Sequence, residues 1–445
     1  MNRVCSPYFD PDFDNLPERI HGPAFRVNVD NESLEDCTIV KIDCVNKQSL
    51  LLDVVQALTD LNLTISKGYI SSDAGWFMDV FHVKNELGFK VTDQRVISYI
   101  QQAMSSGNAS SPKAKAKATS SLAIEMTGKD RPGLFSEISA ALADMGCNII
   151  EAHAWSHNAL LACVAYISGQ SVDTPIDDHR LHAIEDHLTT VLRATTATEE
   201  SAEVKPAAGL PLPKGELGTT TRVERRLHQL MLEVRDFDSP SASLSDHHGR
   251  TSVAIERCLE KGYSIVTIQC KDRRRLMFDT VCTLIDMHYV IFHASVDACR
   301  GYAYQEYFVR HADGRAFNTE SEKDRVIKCL EAAIERRVCE GVRVELCAYS
   351  RVGLLSDITR VLRENGLAVV RADIATQGEK SVNAFYVRDT SGNHVDLEFI
   401  KSMKREMGTS IDLEVMDDDR RPPSSPERPK FSIGEIFERL SHAIK

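Results

Sequence analysis

The stretch TGKDRPGLF, residues 127–135, gathers groups that could hold a small zwitterion. A ligand with a carboxylate and an ammonium on one carbon needs donors for one charge and acceptors for the other. From Leu134 onward the spacing is helical. A helix start offers unpaired N–H groups and the positive end of its dipole, and both suit a carboxylate. Pro132 stiffens the turn before that helix, and Gly133 lets a ligand or another backbone approach closely. Asp130 either accepts from an ammonium or caps the helix. Arg131 reads as a solvated charge or a subunit contact. Asn148 opens the strand that follows, and its amide both donates and accepts.

These groups must be positioned by the elements around them, and those elements recur. Strand-like TIVKID, SLAIEM, SIVTIQ and VRVELC each lead into a hinge and then a helical pattern. One face of the helix carries Leu50, Leu51, Val54, Leu58 and Leu61 in the first copy, and Leu134, Phe135, Ile138, Leu142 and Met145 in the second. The third copy has Leu276, Met277, Val281, Leu284 and Met287; the fourth has Leu354, Leu355, Ile358, Val361 and Leu362. Such spacing marks a helix buried along one stripe. Two strands and a further helix follow each time. The order is that of an α+β fold of four tandem ferredoxin-like βαββαβ units.

A closing strand is expected after the second copy, at about 223–235 (RRLHQLMLEV), and after the fourth (IDLEVM). None is visible after the first or third. This unevenness suggests two pairs, repeat one with two and repeat three with four. The hinge is uneven too. Repeat four keeps Gly353 and Leu354 but has Ser350 for the acid, and its Asn365 stands before Gly366. Repeat three has Asp272, with Arg274 and Arg275 in place of Pro and Gly. Repeat one has Gln48 and Ser49 there, and Thr64 where repeat two has Asn148. Repeat two is therefore the first choice for a ligand site and repeat four the second.

The breaks give the organisation. Residues 1–34 are an N-terminal extension, 35–105 repeat one, 106–119 a linker, 120–193 repeat two, 194–222 a second linker, 262–338 repeat three and 341–416 repeat four. Residues 417–445 read as a disordered tail ending in a short amphipathic helix, with Ile436, Phe437, Leu440 and Ile444 on one face.

Composition narrows the function. A formal charge of −12 argues against binding through nucleic-acid phosphates. Twelve cysteines include no C-x-x-C pair, so they read as reduced, mostly buried thiols rather than zinc or redox centres. No run reaches the roughly 18 apolar residues of a membrane span, and the acidic N-terminus lacks a signal core. The expected location is the cytoplasm, with the nucleus also open. His153 and His157 would stand about 13 Å apart along a strand, too far for one ion unaided. The phosphate-loop, dinucleotide, nucleophile-elbow and zincin motifs are absent, so neither an enzyme nor a bound cofactor is expected.

The hinge KDRPGLF followed by MGCNI resembles the ACT domain, a small regulatory module that commonly binds amino acids. With ERRLHQLM, AYQEYFVRHADG and RVGLLSDITRVLRENGL, the chain resembles the plant ACT-domain-repeat (ACR) proteins over residues 35–416. The resemblance implies four ACT domains and a non-catalytic amino-acid sensor of nitrogen metabolism. Glutamine is a candidate ligand, because the sensing region of bacterial uridylyltransferases has the same character. Its implied ligand residues are Asp130, Arg131, Pro132, Gly133, Leu134 and Asn148, with Gly353 and Leu354. A homo-oligomer or a regulated enzyme partner is expected. The rival reading is a ligand-free scaffold that regulates an enzyme or transporter by protein–protein contact.

Overall fold

Each apolar stripe becomes a helix lying on antiparallel strands. The computed structural model describes residues 25–45, 50–73, 76–105, 121–169, 176–194, 202–207, 220–238, 251–258, 262–315, 317, 319–337, 341–391, 395–407 and 412–417. Repeat one comprises β1 (Phe25–Asp30), β2 (Thr38–Val45), α1 (Leu50–Asp60), β3 (Thr64–Asp73), β4 (Trp76–Lys84) and α2 (Gln94–Ser105). Repeat two comprises β5 (Ser121–Lys129), α3 (Leu134–Asp144), β6 (Cys147–His157), β7 (Leu160–Gly169), α4 (Asp178–Arg193) and β8 (Glu203–Pro206). After it comes α5 (Thr220–Glu233). Repeat three comprises β9 (Ser252–Cys258), β10 (Tyr263–Lys271), α6 (Leu276–Asp286), β11 (Tyr289–Cys299), β12 (Tyr302–His311) and α7 (Glu320–Glu335). Repeat four comprises β13 (Val342–Tyr349), α8 (Leu354–Glu364), β14 (Leu367–Gln377), β15 (Lys380–Asp389), α9 (Leu397–Met407) and β16 (Asp412–Asp417).

The strands form two eight-stranded sheets, β1-β2-β4-β3-β11-β12-β10-β9 and β16-β13-β15-β14-β6-β7-β5-β8. Repeat one therefore joins repeat three, and repeat two joins repeat four, which corrects the pairing of chain neighbours. The reason lies in strand supply. Repeats two and four draw their outer strand, β8 or β16, from behind the second helix. Repeats one and three draw theirs, β1 or β9, from in front of the first strand. Like layouts meet like across a pseudo-twofold join, where equivalent edges pair antiparallel. The first strands β1 and β9 thus lie in stretches assigned by sequence to the N-terminal extension and to the region before 262.

The closing strand of repeat two also differs from expectation. It is β8, inside the expected linker, and the predicted strand at 223–235 is mostly α5. Val223, Leu227, Leu230 and Met231 have helical spacing and bury against Ala123, Trp155, Ala162, Val164 and Tyr166 on the sheet face opposite α3 and α4. The linker 106–119 and the tail 418–445 lie outside the described residues, as do Gln48 and Ser49.

All four repeats carry a bulge at the same place, between Ile65 and Lys67, Ile149 and Glu151, Ile291 and His293, and Val369 and Arg371. A bulge re-aims the following side chains. It lies just upstream of the segment through which paired repeats join.

Candidate functional site

In repeats two, three and four the first helix begins without a side-chain cap. Gly133 before α3, Arg275 before α6 and Gly353 before α8 hold φ of 87°, 64° and 83°, and none supplies a side-chain capping bond. The second helices differ, since Asp177 accepts from the Arg180 N–H and Thr319 from the Glu322 N–H. The Leu134 and Leu354 N–H groups donate back to the Arg131 and Arg351 carbonyls, and the absence of a side-chain cap leaves the following first-turn N–H groups available.

At repeat four this start borders a shallow cleft that is partly open to solvent. One wall is the hinge, Ser350 to Ser356. The other is the partner repeat, with Ser139 and Ala143 from α3 and Asn148 from the head of β6. Ser381 and Asn383 on the central strand also line it. The Ser381 hydroxyl donates to Asn383 Oδ1 at 3.1 Å, and the Thr376 hydroxyl donates across the join to the Ile149 carbonyl at 3.2 Å. Asn148 thus stands with Gly353 and Leu354 of repeat four. Leu354 is 6% exposed and anchors α8 in the core.

The repeat-two hinge is differently arranged, and its residues are not among those lining this cleft. Asp130 accepts from the Arg131 N–H at 2.8 Å and from the Ser156 hydroxyl. Burial pushes its carboxyl above the usual range, against those two bonds. Arg131 bonds Glu137 and the Val191 carbonyl of α4. Pro132 is exposed and Leu134 is core. Gly133 faces the side-chain stem of Arg363 from α8. Residues 220 positions apart are equivalent in this pair, as Met126 faces Cys163 and Leu346 faces Asn383. Arg363 therefore stands where Ala143 stands in the open cleft.

A second cleft follows the same plan in the other pair. It lies between the repeat-three hinge, including Asp272, Arg273 and Arg275, and Thr59 and Thr64 of repeat one, with Gln305 at its base. Here the hinge arginines are engaged. Arg273 pairs with Asp279 at 2.6 Å and donates to the Ile334 carbonyl, while Arg275 pairs with Glu224 of α5.

Those contacts belong to a buried ion cluster between the two sheets. Arg337 pairs with Glu224 at 2.7 Å and Asp279 at 3.2 Å, with its guanidinium 4.8 Å from the Trp155 ring centroid. Arg336 donates to both Asp236 oxygens, at 2.7 and 2.6 Å, and to His228 Nδ1 at 2.9 Å. Since a guanidinium only donates, His228 is neutral and carries its proton on Nε2, which donates to Asp279. Burial also lowers the His228 pKa. Although burial alone would raise Asp279, Arg337 and Arg273 hold its carboxyl well below the usual range. His157 bonds Asp236 at 2.8 Å. His153 lies between Asp373 and Glu151, each 2.9 Å away. Both histidines flagged by the sequence thus serve carboxylates.

Comparison with known proteins places this geometry. The description "ACR family N-terminal ACT domain" matches residues 33–111, "ACR9-like, ACT-like domain" matches 252–348, and "ACT domain" matches 123–160. The ACT domain-containing protein ACR2 of Arabidopsis thaliana is 56% identical over 99% of each chain. The chain belongs to the ACR family of ACT-domain proteins. ACR3 of the same plant is 47% identical, over 92% of this chain and 91% of that protein. A bifunctional uridylyltransferase/uridylyl-removing enzyme of Azospirillum brasilense is 35% identical over 17% of this chain and 8% of its own. As a member of the ACR family, the chain carries several ACT domains. Among the described residues, no helix is long and apolar enough to cross a membrane.

Sequence reasoning missed the wall opposite each hinge. Ser139, Ala143, Ser381 and Asn383 sit in helix and strand patterns that read as packing. The available signal was Asn383, a polar side chain at an inward position between Val382 and Ala384 of a core strand.

Proposed function

We propose that this ACR-family chain is a non-catalytic regulatory protein that senses an amino acid in the cleft between the start of α8 and Asn148. The observation that carries this reading is the uncapped helix start at Gly353 facing Asn148 across the repeat join. First-turn N–H groups receive the carboxylate, and the positive helix end favours it. Ser350, Ser381 and the Asn148 amide supply oxygens for the ammonium. Ala143 leaves the space that Arg363 fills beside Gly133, so this geometry favours the repeat-four hinge over that of repeat two.

A thermal-shift screen against all twenty amino acids tests this. A true ligand at a hundredfold excess over its Kd stabilises the native state by about 2.7 kcal/mol. The shift is expected for a narrow set of amino acids and is expected to vanish in Asn148→Ala and Ser350→Ala. No shift with any amino acid would overturn the reading. In that case the scaffold role gains, a role supported by the repeat-three hinge, whose Arg275 pairs with Glu224 of α5, the helix that lies on the other sheet.

A further inference from the structure

We propose that Arg351 is a ligand-binding residue of the repeat-four cleft, exchanging its partner Asp357 for the carboxylate of a bound amino acid. The inference rests on reading that cleft as an amino-acid site. It starts from an ion pair that recurs along the chain. A hinge arginine pairs with an acid in the first turn of the following helix: Arg131 with Glu137, Arg273 with Asp279, and Arg351 with Asp357. The three arginines are equivalent. Each follows the residue whose N–H donates to the hairpin carbonyl of its repeat, that of Ala159, Gly301 or Glu379.

Repeat four holds its arginine far more loosely than the other two. Arg131 also donates to the Val191 carbonyl at 3.0 Å and Arg273 to the Ile334 carbonyl at 2.8 Å, each on the second helix of its repeat. Their side chains are 16% and 15% exposed. The Arg351 side chain is 58% exposed. Among the described residues its guanidinium reaches, beyond Asp357, only the adjacent Val352 carbonyl at 3.4 Å. An exposed ion pair of this kind contributes little to stability. The residue before the arginine is an acid in the other two hinges, Asp130 or Asp272, and a serine, Ser350, in this one. A competing carboxyl is thereby removed.

The loose arginine stands where a carboxylate would need it. Arg351 lines the cleft, and its Nη1 lies 3.7 Å from the point a β-carbon on Gly353 would occupy. It is therefore beside the uncapped start of α8, and among the described lining residues it is the one charged side chain. A guanidinium grips a carboxylate through two parallel N–H donors, more strongly than neutral donors do. A carboxylate at the helix start then competes with Asp357 for the same guanidinium. The cleft thereby selects a free amino acid over its α-carboxamide, which has no negative charge to offer.

Isothermal titration of the full chain with each of the twenty amino acids, and with its α-carboxamide, tests the proposal. Arg351→Gln should weaken binding of the amino acids that bind by roughly tenfold and leave that of their carboxamides unchanged. Its urea midpoint should stay in place, because the side chain is exposed. Asp357→Asn should tighten binding by about two- to fivefold, and should have no effect once Arg351→Gln is present. A gain that persists in the double variant would overturn the inference, since Asp357 would then merely repel the carboxylate. Carboxamides that bind the unaltered protein as tightly as the amino acids would overturn it too. Binding that Asn148→Ala abolishes but Arg351→Gln leaves intact would overturn it while sustaining the cleft reading. No binding by any amino acid would end both.

Discussion

The Cδ atom of Arg363 lies 2.7 Å from the point where a β-carbon on Gly133 would sit. A side chain of one repeat therefore lies over the hinge of its partner. At the equivalent place in the open cleft the residue is Ala143. The pair is thus symmetric in backbone and asymmetric in what fills its two hinges. If Arg363 is what keeps the repeat-two hinge covered, Arg363→Ala is expected to add one bound amino acid per chain. Isothermal titration would read this as a higher stoichiometry, and an unchanged stoichiometry would show that Arg363 does not decide it.

The two hinge glycines separate strain from crowding. Both hold φ above 80°, where a β-carbon costs roughly 1–2 kcal/mol. At Gly353 the nearest atom to an added β-carbon is Arg351 Nη1 at 3.7 Å, so Gly353→Ala should cost about that much and no more. Gly133→Ala should cost more, because the Arg363 stem must also move. Urea unfolding midpoints give the comparison, and equal losses would show that the stem yields freely.

His153 ties folding to alkaline pH. Burial would depress its pKa, but hydrogen bonds to Asp373 and Glu151 override this and push it up to about 10. With a carboxylate on each ring nitrogen, the imidazole is doubly protonated in the fold. The folded state holds that proton more tightly than the unfolded chain does. Its contribution is therefore complete below the ordinary histidine pKa of about 6.5 and is lost as pH rises through about 10. Between those limits stability should fall by up to about 1.4 kcal/mol per pH unit. Chemical denaturation from pH 6 to 10 should show this slope, and His153→Gln should flatten it.

The helix stripes and strand runs were legible in the sequence because burial on one face imposes a period on each element. The hinge glycines were legible for a related reason, since a positive φ selects for glycine. Yet Arg275 takes the same conformation, and its side chain, held by Glu224, is what the local rule could not foresee. Pairing was hidden because edge-to-edge joins place few constraints on residue type. Asn148 looked like a clamp for its own hinge, and only the β6–β14 join brings it to the hinge of repeat four. α5 was misread because ten residues with mixed apolar spacing fit a strand almost as well as a helix.

Arg337 offers the sharpest test of how the two sheets are held together. It follows α7 of one sheet, pairs with Glu224 of α5 and Asp279 of α6, and stacks on Trp155 of the other sheet. Removing one partner of a buried ion pair strands the remaining charge, at a typical cost of 3–5 kcal/mol. Asp279 retains Arg273 and His228, so the lower end, about 3 kcal/mol, is expected for Arg337→Ala. The loss should fall on the junction rather than on either core. Tryptophan fluorescence, to which Trp155 contributes, should then change at lower urea than the far-ultraviolet dichroism of the sheets. A single coincident transition would mean that the two sheets unfold as one unit even without this cation.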